Sequence, residues 1–532
     1  MDRTMFYLIL AVYLGIIALL SYIGYRHTRS SKDYMVAGGN VHPYLMGLAY
    51  GASFISTSAI VGFGGAAGVY GMSLLWLTVF NILVGIFVAF VFFGKKTRAL
   101  GQELGAYTFP ELLGKRFESV FIRRFAATLF TVVMPLYAAA VLIGGARFLQ
   151  ESMKMDFTTA VWIFAIIVMV NVYFGGLRGV VYTDAFRGTL DFVVMAILIV
   201  LTYVKLGGIS TAHAKLDAMK NMVPAALAAQ GHTGWASMPV FGSQIWWFVF
   251  STLVLGVGIG VLAQPQLVVR YLMVKSSKEI NRAMIFGGIF ILFMTGVAFT
   301  VGALSNVFFK DAMGKTALAA SAVGGAAPNS DKIIPLFISQ AMPSWLTYLF
   351  LLGLLAAAMS ALSGQFHLIS TSVSYDLNPK AGKQETKAVL LGRLGILFGF
   401  IVTMFVVFQL PGSIIPIATA IFFGLCAAAF LPMYVAALYW PRVTKTAAVW
   451  SMLTGAATYL FMVLFVHEKE ATIFGLSKAL FGVKTISVAP WTYIDPMVVA
   501  LPVSAIVLIA ASLVTKPTAA YLKAKGEAAT AR

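Results

Sequence analysis

GLAYGASFISTSAIVGFGGAAGVYG, Gly47 to Gly71, is long and apolar enough to cross a bilayer, yet it is crowded with Gly, Ser and Thr. A helix in lipid must satisfy its own backbone, so this many weak helix formers in one span predict a break lined by protein or water. Breaks of this kind let a membrane protein present backbone carbonyls and helix termini to an ion.

The rest of the chain supports a membrane setting for that stretch. Of 532 residues, 60% are hydrophobic and 11% charged, against about 25% charged in soluble domains. Apolar runs of about 20 residues recur, matching the thickness of hydrocarbon at helical rise. We read an all-α membrane protein with about 13 transmembrane helices, near 5–25, 43–70, 73–94, 125–146, 158–177, 189–206, 243–268, 283–308, 346–374, 388–409, 413–439, 446–466 and 493–515. The run from Met5 to Tyr25 is followed by basic residues rather than a cleavage site, so it is expected to be a retained first span with the N-terminus outside.

A formal charge of +19 in a soluble protein would point to nucleic acid. Here the basic residues sit in short loops between spans, where the positive-inside rule explains them and nucleic acid is not implied. Gly94 to Arg98 (GKKTR), Arg123-Arg124, Arg270 to Arg282 and a basic tail, 516–532, are therefore assigned to the cytoplasm, which places the C-terminus inside. Residues 1–515 read as a single membrane domain. Two long loops, about 207–242 and 309–344, are expected to cap the outer face. The one cysteine, Cys426, lies in an apolar run and allows no disulfide framework.

A second breaker-rich span, LVLGVGIGVLAQPQLVVR (Leu253 to Arg270), lies five spans after the first, with Gly256, Gly258 and Gly260 ahead of Pro265. Paired discontinuous helices in corresponding positions point to an inverted-repeat transporter, while the plainer alternative is two glycine-rich packing faces. The ninth span, Leu354 to Asp376, carries Ser360, Ser363, His367, Ser370 and Ser374 at three- and four-residue steps, a single polar stripe. Sodium is bound by oxygens, so Ser360 with carbonyls near Ala52 and Ile55 is a candidate ion site. Serines that merely bond back to the preceding turn are the alternative.

GASFISTSAIVGFGG, GKKTRALG, FPELLGKRF, GGLRGVVYTDAFRG, AQPQLVVRYL and AAAMSALSGQ occur together in this order. On these motifs the chain resembles the sodium:solute symporter family over about 450 residues. The resemblance implies a leucine-transporter-type fold with two inverted repeats of five helices, about 43–206 and 243–439, and extra helices at both ends. It also implies a cell-membrane location and a monomer as the functional unit, surrounded by membrane lipid. Motif by motif, the carbonyls of Ala52, Ile55 and Ala357 and the hydroxyl of Ser360 fall on the family's sodium ligands. Asp184 falls on the acid associated with inward ion release; a helix cap is its rival role. Ala361 stands where the family usually has a second hydroxyl, and His367, on nearly the same face as Ser360, offers a proton-coupled alternative.

The solute is expected beside the two breaks, with Ser56, Thr57, Ser58, Gly260 and Gln264 as candidate contacts. A sugar needs many matched polar groups that the turn before Gln264 lacks. Val257 and Val261 stand where proline carriers have aromatics, so proline is not the expected solute. The expectation is therefore a sodium-coupled symporter for a small organic solute, a monocarboxylate first, with pantothenate or an amino acid as alternatives. A passive channel and a transporter-like sensor are the competing classes. No metal-ligand spacing, phosphate loop or nucleophile elbow marks an enzyme.

Overall fold

The computed structural model describes residues 3–26, 41–174, 177–322, 327–378 and 385–516. Among them every regular element is helical, apart from one isolated bridge between Val41 and Val274. Among the described residues ten helices are long and apolar enough to cross a membrane, and two shorter apolar stretches, Tyr7–Leu20 and Phe157–Val170, accompany them. Residues 517–532 of the basic tail, and Gly175 and Gly176 of the GGLRGVV motif, lie outside the described residues.

In chain order the elements are α1 (Arg3–Arg26), α2 (Pro43–Phe54), α3 (residues 58–70), α4 (residues 75–104), α5 (Val120–Met153), α6 (Phe157–Phe174) and α7 (Leu177–Leu206). They continue with α8 (Gln244–Ala263), α9 (Pro265–Tyr271), α10 (Ser277–Met313), α11 (Ser344–Asp376), α12 (Glu385–Gln409), α13 (Ile415–Tyr439), α14 (Lys445–Val466) and α15 (Pro496–Val514). The pair α2/α3 is enclosed by its neighbours: α2 packs on α7, α10 and α11, and α3 packs on α10 and α5.

Both expected breaks exist, but glycine does not make them. α2 ends at Ile55, whose backbone is extended at φ −83° and ψ 108°, and helix resumes at Ser58. The second break falls at Gln264, at φ −72° and ψ 113°, because Pro265 disfavours a helical residue before it and then starts α9. Gly256, Gly258 and Gly260 stay helical. The glycines serve close packing instead. A Cβ on Gly47 would lie 2.6 Å from the Ala283 carbonyl of α10, and one on Gly260 would lie 2.7 Å from the Phe423 side chain of α13. Gly71, at φ +74°, makes the turn from α3 into α4.

Residues of both long loops close over the far end of α3. Trp235 Nε1 and Asn306 Nδ2 both donate to the Gly68 carbonyl, at 3.0 and 2.8 Å, and His232 bonds the Val69 carbonyl at 2.9 Å. The other loop seats Ser330 against Gly65. Asp331 accepts the Ile414 N–H at 3.1 Å, and Asn329 accepts the N–H of Ser413 at 2.9 Å. The helix-terminal amides that lack partners within their own helices are thus met from the loops.

Two outcomes follow from this packing. Gly47→Val should cost about 1–3 kcal/mol by overpacking and lower the thermal midpoint in detergent, whereas Gly15→Val, with nothing within 4 Å of its Cβ position, should leave it unchanged. Burial raises the Asp331 carboxyl from 3.8 to about 7, against the opposing pull of Arg147 and neighbouring amides. A raised carboxyl holds its proton more tightly when the loop is closed, so closure is favoured at low pH and weakens as pH rises from about 4 to about 7. Protection factors over residues 327–341, taken relative to the intrinsic exchange rate at each pH, should be higher at pH 5 than at pH 8, and Asp331→Asn should flatten that difference.

Candidate functional site

The first break presents three hydroxyl side chains in succession, and each is held differently. Ser56 Oγ accepts the Ser58 N–H at 3.2 Å and lies 2.6 Å from Ser58 Oγ, so it caps the resumed helix. Thr57 Oγ1 donates to the Val141 carbonyl of α5 at 2.5 Å. Ser58 faces a central cavity. That cavity is lined by Phe54, Ile55, Ser58, Ala59, Phe63, Leu77, Asn81, Tyr137, Val257, Thr295, Phe299, Thr419 and Phe423.

Of the expected solute contacts, Ser58 alone is in this lining. Ser56 and Thr57 turn to backbone partners, because a helix interrupted in an apolar interior leaves amides and carbonyls that nearby side chains must meet. Gly260 is covered by Phe423, and Gln264 spends its amide across the second break: Nε2 donates to the Gly260 carbonyl at 3.4 Å, and Oε1 accepts from Gln266 at 3.0 Å. The lining also shows groups that reading the breaks missed. Asn81, Tyr137, Thr295 and Thr419 come from α4, α5, α10 and α13. Their signal was a lone polar residue in a long apolar run, which is costly in lipid unless it faces a cavity or a partner. Asn81 Oδ1 is buried with no hydrogen-bond partner, and Tyr137 lies among Ser56, Ser58 and Gln365.

Below the first break lies a buried charged cluster. Asp184 of α7 pairs with Arg270 Nη2 at 3.2 Å and with Arg187 Nη1 at 3.5 Å, all three being at most 2% exposed. Arg270 Nη2 also donates to Ser53 Oγ at 2.7 Å, joining α9 to α2. Asp184 is therefore an interior ion-pair partner, not a cap at a helix end. Ser360 of α11 faces Asp184, yet its fully buried hydroxyl has no hydrogen-bond partner of good geometry. The serine stripe divides: Ser363 and Ser374 donate back to the Met359 and Ser370 carbonyls at 2.5 and 2.7 Å, whereas Ser360 Oγ and Ser370 Oγ are unpartnered. Ala52 belongs to the last turn of α2, whose carbonyls have no following helix to accept from, and Ile55 is the residue at which that helix ends. Ala357, one turn before Ser360, is fully buried.

A second cavity lies beyond the second break, lined by Tyr107, Thr108, Gln266, Val269, Arg270, Met273, Gly364, His367, Leu368 and Thr371. His367 is in its wall. A buried network closes the neighbouring end: Thr108 Oγ1 and Arg123 Nε both donate to Asp376 Oδ1, at 2.9 and 2.8 Å, and Tyr375 donates to Glu111 at 2.9 Å.

Two interrupted helices, a buried unpartnered hydroxyl beside a carboxylate, and cavities on either side of the interruption define an ion-coupled membrane transporter. The profile of the sodium:solute symporter family matches residues 34–455, and the chain belongs to that family. It is a sodium-coupled solute symporter of the cell membrane, not an enzyme. Relatives include sodium/proline symporter 2 of Staphylococcus saprophyticus, 25% identical over 495 residues, and the sodium/proline symporter of Staphylococcus aureus strain JH9, 26% identical over 491 residues; each alignment covers 90% of both chains. A Na+-coupled sialic acid symporter, solved substrate-bound and outward-open, has the same fold, with a TM-score of 0.73 at 19% identity over 96% of this chain and 98% of that one. Mhp1, a nucleobase-cation-symport-1 family transporter, matches with a TM-score of 0.51 at 13% identity over 93% of this chain and 99% of that one. The expected monocarboxylate finds no support in these relatives.

If Ser360 contributes an oxygen to the ion, Ser360→Ala should raise the sodium concentration for half-maximal uptake about tenfold or more, the loss of one good ligand being worth roughly 1.5–3 kcal/mol. Ala361→Ser, which restores a hydroxyl, should lower it. Sodium titrations of uptake in proteoliposomes measure both.

Proposed function

We propose that this protein uses the inward sodium gradient to take up a small zwitterionic amino acid, L-proline being the first to test, and that it does so by alternating access. The observation that carries this reading is the buried, unpartnered Ser360 hydroxyl facing Asp184, whose partner Arg270 also bonds Ser53 near the end of α2. Sodium held by the Ala52, Ile55 and Ala357 carbonyls and Ser360 would draw α11 against the broken α2/α3 pair. That draws the walls of the solute cavity together, so each ligand favours the other by a shared free energy. Asp184, beside Ser360 and tied to Arg270, then lies on the ion's way inward.

The central cavity supports a solute without net charge. Among the described residues no ionic side chain lines it, while Ser58, Asn81, Tyr137, Thr295 and Thr419 supply polar contacts. Aromatic surface absent at Val257 and Val261 comes from Phe63, Tyr137, Phe299 and Phe423 of other helices. Relatives that transport proline align over 90% of the chain.

The same reading includes 13 spans in one domain, an outside N-terminus, a cytoplasmic C-terminus, inverted repeats over about 43–206 and 243–439, and a monomer as the working unit. The Ser58–Leu104 stretch, 47 residues turning at Gly71, then counts as parts of two spans. The basic ends of α4 and α9 then face the cytoplasm.

The test is uptake into proteoliposomes under an imposed sodium gradient, with proline, alanine, acetate, pyruvate and pantothenate. Proline uptake should be accompanied by one net positive charge per sodium. Electroneutral uptake of acetate or pyruvate with no proline uptake would return the substrate to the monocarboxylates.

A further inference from the structure

We propose that the cavity beyond the second break is a second solute site, which holds a zwitterionic amino acid by Arg270 and Gln266 on its way to the cytoplasm. This rests on the amino-acid reading above and adds a site to it. The two residues stand one turn apart on α9, so they share a face, and both line the cavity.

Their unused hydrogen-bonding capacity is complementary. Arg270 carries five N–H donors. Nη2 serves Asp184 and Ser53, but the contact of Nη1 is a weak one, the Met273 sulfur at 3.9 Å. Gln266 spends Nε2 on Gln264, while its Oε1 is buried with no partner and the residue is 6% exposed. Most hydroxyls around them are already committed: Thr108 donates to Asp376, and Thr371 donates to the His367 and Leu368 carbonyls. Alongside Tyr107 and His367, which also line the cavity, stand a cationic donor and an amide acceptor one turn apart. A carboxylate satisfies the first and an ammonium or iminium the second. Val269, Met273 and Leu368 supply an apolar wall for the rest of the molecule.

The guanidinium that would take the carboxylate is also the one that holds Asp184 at 3.2 Å. Solute in this cavity therefore competes for the partner of the carboxylate that faces Ser360, and the departures of ion and solute meet at Arg270.

The experiment uses full-length protein in proteoliposomes, with proline applied to one face at a time and half-saturation measured for each. Gln266→Leu should weaken affinity at the cytoplasmic face about tenfold while the outer value stays within twofold. An outer half-saturation and an uptake rate that both stay near wild type show that loss in the leucine variant is not misfolding. Unchanged cytoplasmic affinity in Gln266→Leu, or an equal shift at both faces, overturns the second site. Sodium-driven uptake of acetate or pyruvate by the wild type, with none of any amino acid, overturns the amino-acid reading and this site together. Normal proline uptake without the one-sided shift overturns the site alone.

Discussion

A helix interrupted inside hydrocarbon frees backbone groups that water cannot reach, and the interior of this protein is organised around meeting them. Ser56 caps the resumed helix and Thr57 reaches the Val141 carbonyl, while Gln264 and Gln266 bridge the second break. Ser56, Thr57 and Gln264 are consumed by structure, as is the Gln266 Nε2. The atoms left over, Ser360 Oγ, Gln266 Oε1 and Asn81 Oδ1 among them, are buried without hydrogen-bond partners. A transporter needs both kinds at a break, one to keep the gap from collapsing and one to offer it to cargo.

Charge in the interior follows a similar rule. Asp184, Arg187 and Arg270 are buried together, with Ser53 taking a further guanidinium hydrogen. Removing Asp184 would leave Arg270 buried without its carboxylate, which is far more costly than the pair is stabilising. The cluster joins α2, α7 and α9, and Ser360 on α11 faces it. Four helices therefore meet at this cluster. The ion-paired end around Glu111, Arg123 and Asp376 ties the segment after α4 to the end of α11, on the far side of the second cavity.

Much of the architecture was legible in the chain. Apolar run length gave helices that span, and the two breaker-rich spans were rightly singled out. The reason assigned to them was only half right, since Pro265 sets the second break while glycines such as Gly47 and Gly260 admit neighbouring helices. A glycine's missing Cβ serves a bend and a close approach equally well, and composition cannot distinguish them. Among the hydroxyls, Ser56, Thr57 and Ser58 look alike in sequence. Which one faces the cavity depends on a backbone that leaves the helix at Ile55.

By itself the sequence determined that the chain crosses a membrane many times, that two of its spans are irregular, and which family motifs it carries, because these depend on local composition and order. Only the tertiary structure decided that Ser360 meets Asp184, that Tyr137 and Asn81 join Ser58 around one cavity, and that Arg270 and Gln266 wall a second. Those meetings bring together helices far apart along the chain. Which buried polar group is left without a partner depends on every neighbour that packs around it.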